Sequence, residues 1–210
     1  MIKIVVSYPT ELPNEIALVN KLLGSDIDYF HFRKPEFEEI QMQNYIEQLD
    51  DIHHHKIVIH NNYQLVNKLN LGGIHLNKKG LKELRTEEES DKCFIEPLLL
   101  KNNKIYVNNR QPTIVSYAAH SFADITNVNF GVDYFTLSPI FDSISKPDYK
   151  SNFVDRNALS SFLKNSNKKV IALGGITEDK KEELKQLGFA GYAVLGGYWQ
   201  KQKQQALIGQ

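Results

Sequence analysis

Eight short runs of β-branched and aromatic residues recur along the chain, and the stretches between them are mostly longer and polar or amphipathic. The runs are IKIVVSY, DYFHFR, KIVIHN, GGIHLN, TIVSYAAH, DYFTLSPI, KVIALGG and GYAVLGG. Between the first two, PNEIALVNKLLG brings Ile16, Val19, Leu22 and Leu23 to helical spacing, with Gly24 as a stop. Residues 36–50 repeat the pattern with Phe37, Ile40, Met42, Tyr45, Ile46 and Leu49. YQLVNKLNLG and TEDKKEELKQLGF each end in a glycine that can close a helix, and DRNALSSFLKNS forms another with Asp155 as its N-cap. A short last helix follows YWQKQKQQAL.

Eight strands with intervening helices predict a parallel (βα)8 TIM barrel, one domain over residues 1–210. Residues 77–112 exceed what one helix requires, so an insertion with its own short helix or strand is expected between strands four and five. The charged run KKGLKELRTEEESDK within it reads as a solvated helix face. In such barrels function collects where strands run into their following loops. Those ends are residues 7–10, 31–35, 60–64, 75–80, 118–121, 138–146, 174–177 and 196–198. Period-two alternation puts Phe30 and Phe32 under the helices, and Tyr29, His31 and Arg33 toward the barrel interior. In strand five, Ser116, Ala118 and His120 share a face.

Composition narrows the class. Lys plus Arg equals Asp plus Glu at 25 each, so no broad cationic surface for nucleic acid or anionic membrane is expected. The apolar runs are strand-sized, too short to span a bilayer. The N-terminus is strand-like and unlike a secretory signal. The single cysteine, Cys93, forms no internal disulfide, and a cytoplasmic setting is the expectation.

Several constellations carry candidate chemistry. Gly174–Gly175 and Gly196–Gly197 end the last two strands, where glycine lets backbone amides approach a phosphate closely. Ser143, Ser145 and Lys146 place two hydroxyls and a cation after strand six, as a polar surface loop or as the far wall of the same anion pocket. Arg33 either faces that anion or pairs within the barrel. His120, beside small residues, suits a proton carrier near neutral pH or a satisfied core histidine. The run His53–His54–His55 precedes strand three and reads as a solvated turn, since three consecutive residues cannot all face one ion.

These strand ends, in this order, resemble the thiamine phosphate synthase (thiamine phosphate pyrophosphorylase) family and its close relative, the thiazole tautomerase. HFRK resembles a Gln-Leu-Arg motif, HNN an Asn-Asp-Arg motif, IHLNKKG a Val-His-Leu-Gly-Gln-x-Asp motif, and AAH a Ser-x-His motif. SPIFDSISK is similar to Gly-Pro-Ile-Phe-x-Thr-x-Thr-Lys, and Gly-Gly-Ile stands at residues 174–176. The resemblance implies a small-molecule thiazole phosphate held by Ser143, Ser145, Lys146, Gly174, Gly175, Gly196 and Gly197, with Arg33 facing pyrophosphate. It also implies thiamine biosynthesis and a homo-oligomer. His31 replaces the glutamine, Pro35 holds the family lysine's place with Lys34 one residue earlier, and Ala118 replaces a serine. The two magnesium-holding aspartates correspond to Asn61, counted with the phosphate-ligand candidates, and Gly80. Magnesium normally needs at least one or two carboxylates. The expectation is therefore no metal and no cofactor, with proton transfer on a thiazole phosphate by His120, supported by His31. Synthesis with magnesium is the alternative, and a non-catalytic phosphate-binding barrel is a third.

Overall fold

The computed structural model describes residues 1–86, 98–142 and 150–200. The chain runs through β1 (Ile2–Val6), α1 (Glu15–Leu23), β2 (Tyr29–Phe32), α2 (Glu39–Ile46), β3 (Ile57–Ile59), α3 (Leu65–Lys68) and β4 (Gly73–Leu76). It then leaves the barrel for α4 (Lys78–Glu83), β5 (Arg85–Thr86), β6 (Leu98–Lys101) and β7 (Lys104–Val107). It returns with β8 (Ile114–Ala119), α5 (Phe122–Thr126), β9 (Tyr134–Leu137), α6 (Arg156–Asn165), β10 (Val170–Ala172), α7 (Lys181–Leu187) and β11 (Gly191–Val194). The eight predicted runs are the eight parallel strands of a closed barrel, and β1 completes it by pairing with both β2 and β11.

Side-chain alternation divides the apolar core in two. Phe30 and Phe32 point outward, and Phe32 meets Phe37 and Tyr45 of the α2 region at ring-centroid distances of 6.3 and 4.8 Å. Inside lie Ile4, Val6, Tyr134, Ile171 and Ala193. Helix ends follow their chemistry. The Asp155 side chain accepts from the N–H groups of Asn157 and Ala158, capping α6. Gly188 ends α7 at φ 104°, a backbone conformation that side chains disfavour. After β11, residues 196–200 are helical, and fully buried Trp199 ties them to β1 by donating its indole N–H to the Val6 carbonyl at 2.7 Å.

The insertion holds a short helix and a three-stranded sheet, β5 parallel to β6 and β6 antiparallel to β7. Asn102 and Asn103 make its hairpin turn at φ 49° and 59°, the left-handed geometry a two-residue hairpin needs. Leu98, Ile105 and Val107 bury into the main core, so this sheet is part of the packing. Helix covers only Lys78–Glu83 of the charged run, and part of that run lies outside the described residues. His53–His54–His55 form part of a 3-10 helix rather than a wholly solvated turn. His54 is buried, with Nδ1 2.9 Å from the Leu69 carbonyl.

Candidate functional site

Strand register assembles a polar layer across the barrel interior. His31 of β2 pairs in register with Val58, Val58 with Gly73, His75 with Ser116, and Ser116 with Tyr134. His60 lies two residues beyond Val58 and His75 two beyond Gly73, so both point inward beside His31. Hydrogen bonds hold the layer. His31 Nδ1 lies 3.0 Å from His60 Nε2, and His31 Nε2 lies 2.7 Å from the Tyr134 hydroxyl. Ser116 donates its hydroxyl to the Ile74 carbonyl, so at 2.8 Å it accepts from His75 Nδ1–H. The ring centroids of His60 and His75 are 4.3 Å apart.

The three imidazoles are held neutral. Burial, with His75 beside it, pushes His31 well below its usual range. His60 is pushed down by burial, then by His75, His31 and the Arg33 charge. Burial and Arg33 push His75 down to about 3.

His120 follows the last residue of β8 and is exposed there. Its Nδ1 lies 3.0 Å from the Ser138 carbonyl, which only accepts, so Nδ1 carries the proton and Nε2 keeps the lone pair. Asp124 accepts the His120 backbone N–H at 2.8 Å, and Ser121 caps α5 by accepting from the Asp124 N–H. Lys78 of the insertion sits 3.5 Å from Asp124. Burial alone would raise the Asp124 pKa, but the His120 N–H, Lys78 and Ser121 outweigh it and hold the carboxyl low.

Arg33 is exposed, and its charge reaches His60 and His75. The buried Ser7 hydroxyl fixes its backbone, accepting from Arg33 N–H at 2.8 Å and donating to Arg33 O at 3.0 Å. Lys34 has a different role from the family lysine. It is fully buried, with Nζ 2.7 Å from both Glu15 carboxylate oxygens and from the Thr10 carbonyl, an ion pair that anchors the chain before α1.

Gly174 and Gly175 adopt φ 92° and 65°. A Cβ on Gly174 would lie 2.8 Å from Pro139, and one on Gly175 would strike the Asp142 carbonyl, so this turn needs glycine to pass under the segment after β9. Gly196 and Gly197 are half-buried and already helical, not a strand-end turn. Ser143, Ser145, Lys146 and Cys93 lie outside the described residues. Half-buried Asn61 directly follows His60. Gly80 is buried within α4, where a Cβ would come 2.5 Å from the Tyr63 hydroxyl. Neither position offers a carboxylate, and Tyr63 fills the space that one at residue 80 would need. These residues do not fit a magnesium site built on two aspartates.

Sequence reasoning singled out His31 and His120 but not His60, His75, Ser116 or Tyr134 as one assembly. The signal was available in parity carried from strand to strand, HFR to IVIH to GIHL. Ser138 and Asp124, which hold His120, carried no comparable signal.

A closed parallel barrel with polar side chains gathered inside and at the C-terminal strand ends defines the class: a (βα)8 barrel. A sequence model described as thiamine monophosphate synthase matches residues 103–197. Over that segment the chain is similar to the thiamine phosphate synthase family. A thiamine-phosphate synthase of Staphylococcus haemolyticus is 26% identical over 186 residues, covering 85% of this chain and 78% of that protein. One from Leuconostoc citreum is 23% identical over 186 residues, covering 86% and 79%. The crystal structure of a thiamine phosphate pyrophosphorylase from Bacteroides thetaiotaomicron superposes with a TM-score of 0.71 at 28% identity, over 96% of this chain and 86% of that one. Among the described residues, no helix is long and apolar enough to cross a membrane.

Proposed function

We propose that this protein is an enzyme of thiamine biosynthesis acting on a thiazole phosphate, and that its reaction is a tautomerisation with His120 as the acid–base group. The observation that carries this reading is the pairing of His120 Nδ1 with the Ser138 carbonyl. It leaves Nε2 to take a proton from one ring position of the thiazole and return it at another, a transfer that needs no metal. Two features support it. Asn61 and Gly80 stand where the synthase reaction would need magnesium-holding aspartates, and Tyr63 packs against Gly80. Arg33, Asn61, the glycines at 174, 175, 196 and 197, and Ser143, Ser145 and Lys146 bind the phosphate end in this reading. His31 serves through the buried layer, not by touching substrate.

The synthase reaction is the second reading, and the two synthases named above favour it. Separate turnover assays on the thiazole tautomer and on pyrimidine pyrophosphate with magnesium discriminate the two. His120→Asn is expected to lower tautomerisation by about 10² to 10⁴ with phosphate-ligand affinity nearly unchanged. Strong magnesium-dependent synthesis by the unaltered protein overturns the tautomerase reading. Equal tautomerase rates in His120→Asn and the parent remove His120 from the chemistry. No turnover of either substrate, with phosphate ligands still bound, leaves a binding barrel.

A further inference from the structure

The buried layer offers more than support for His120. His31, His60 and His75 each offer one ring nitrogen, and these three atoms lie within 4.8 Å of one another. They come from β2, from the end of β3 and from β4, three adjacent strands, so the backbone fixes their spacing.

From this geometry we infer that His31, His60 and His75 form a binding site for one divalent transition-metal ion of the zinc type. Which nitrogens serve follows from the outer hydrogen bonds. Ser116 takes the His75 Nδ1 proton, so Nε2 is the free lone pair. With the Tyr134 oxygen accepting from His31 Nε2–H, His31 Nδ1 becomes the ligand atom. His60 supplies Nε2, the atom 3.0 Å from His31 Nδ1. Without metal, a proton shared between those two nitrogens satisfies both; a metal ion replaces that proton. Metal-binding histidines commonly donate their second N–H to an oxygen, as Tyr134 and Ser116 allow here.

Zinc sits about 2.0–2.1 Å from imidazole nitrogen, which sets tetrahedral nitrogen pairs roughly 3.4 Å apart. The widest separation must therefore close by up to about 1.4 Å, while the 3.0 Å His31–His60 pair opens slightly. Half-buried His60, at the open end of its strand, is the ring that moves. Neutral imidazoles are the form a metal needs, and burial keeps these three neutral. Zinc-type ions suit an all-imidazole set, whereas magnesium and calcium demand oxygen. The Arg33 charge reaches His60 and His75 and opposes a bare cation, so the fourth ligand is expected to be an anion. This site departs from the expectation of no metal and does not depend on which reaction the protein performs, because its test reads metal and not turnover.

The test uses the full chain, stripped with chelator and returned to buffer, titrated calorimetrically with Zn²⁺ and followed by visible absorption with Co²⁺. One equivalent per chain and the ligand-field bands of four-coordinate cobalt are expected. His60→Asn should lose binding by more than about 100-fold, and Tyr134→Phe, which keeps every ligand, should weaken it by about 10- to 100-fold. A His53→Ala/His55→Ala double variant should bind as the parent does, with circular dichroism confirming that each variant is folded. The proposal is overturned if the parent takes up no zinc, if His60→Asn binds equally well, or if binding disappears in the His53/His55 variant instead.

Discussion

Acid should weaken this fold through the three core histidines before most carboxylates begin to protonate. In the unfolded chain each imidazole takes a proton near pH 6.5. In the folded protein, burial holds His31, His60 and His75 neutral to lower pH, His75 to about 3. Below pH 6.5 the unfolded state therefore binds more protons. Stability is fully present above that pH and falls as pH drops toward the folded values. Between pH 7 and pH 5 a histidine held neutral throughout, as His75 is, withdraws about 2 kcal/mol, and His31 and His60 act in the same direction. Even about 2 kcal/mol is a sizeable share of a typical domain's 5–15 kcal/mol. Urea unfolding at pH 7, 6 and 5 measures it, with chelator present so that no metal holds the rings. His75→Gln should retain about 2 kcal/mol more of its own pH 7 stability at pH 5 than the parent does. A fall of under about 2 kcal/mol in the parent, or an identical fall in His75→Gln, refutes the reasoning.

Three further outcomes are expected. Glu15→Gln leaves Lys34 charged and buried without its counter-ion and should cost about 3–5 kcal/mol in denaturant unfolding, whereas Glu15→Leu with Lys34→Met should recover most of that loss. Trp199→Phe removes the donor to the Val6 carbonyl and should cost about 1–3 kcal/mol, measured by the same unfolding curves. Asp124→Ala frees the His120 backbone and should lower kcat for tautomerisation with KM little changed, while Asp124→Asn, which can still accept that N–H, should restore much of it.

The barrel was legible because its signals are local and repeated. Each strand run carries its own alternation, and Asp155 and Gly188 mark helix ends by side-chain chemistry and backbone freedom that a few residues reveal. The α5 helix escaped notice because Phe122–Thr126 is too short for helical periodicity to accumulate. The insertion's sheet was legible only as excess length. Its turn is Asn102–Asn103 rather than a glycine pair, and among the described residues every left-handed non-glycine position is asparagine. Site residues were harder. His120 and Arg33 announce themselves at strand ends, but Lys34, beside a motif arginine, is consumed by Glu15, nineteen residues away in sequence. Gly80 matches a family position, yet what fills its space is Tyr63, from a different loop. Such contacts depend on how distant segments meet, which no window of sequence contains.

The departures from the family motifs form one electrostatic change. Asn61 and Gly80 place no negative charge where the motif resemblance implies two aspartates. His31 and His60 bring two imidazoles into the strand-two and strand-three motifs, beside a third, His75, whose motif already carries a histidine. A histidine cluster beside two aspartates would be drawn toward protonation, and three imidazolium ions within 4.8 Å could not stay buried. Burial, joined at His60 and His75 by the Arg33 charge, favours the neutral form at each ring. Neutral rings can share protons with Tyr134 and Ser116, and can offer lone pairs to a metal. The two differences work in the same chemical direction: without carboxylates at residues 61 and 80 this mouth does not suit a hard oxygen-bound cation, and its neutral imidazoles suit nitrogen coordination instead. Asn61→Asp alone would act on both by drawing protons onto His60.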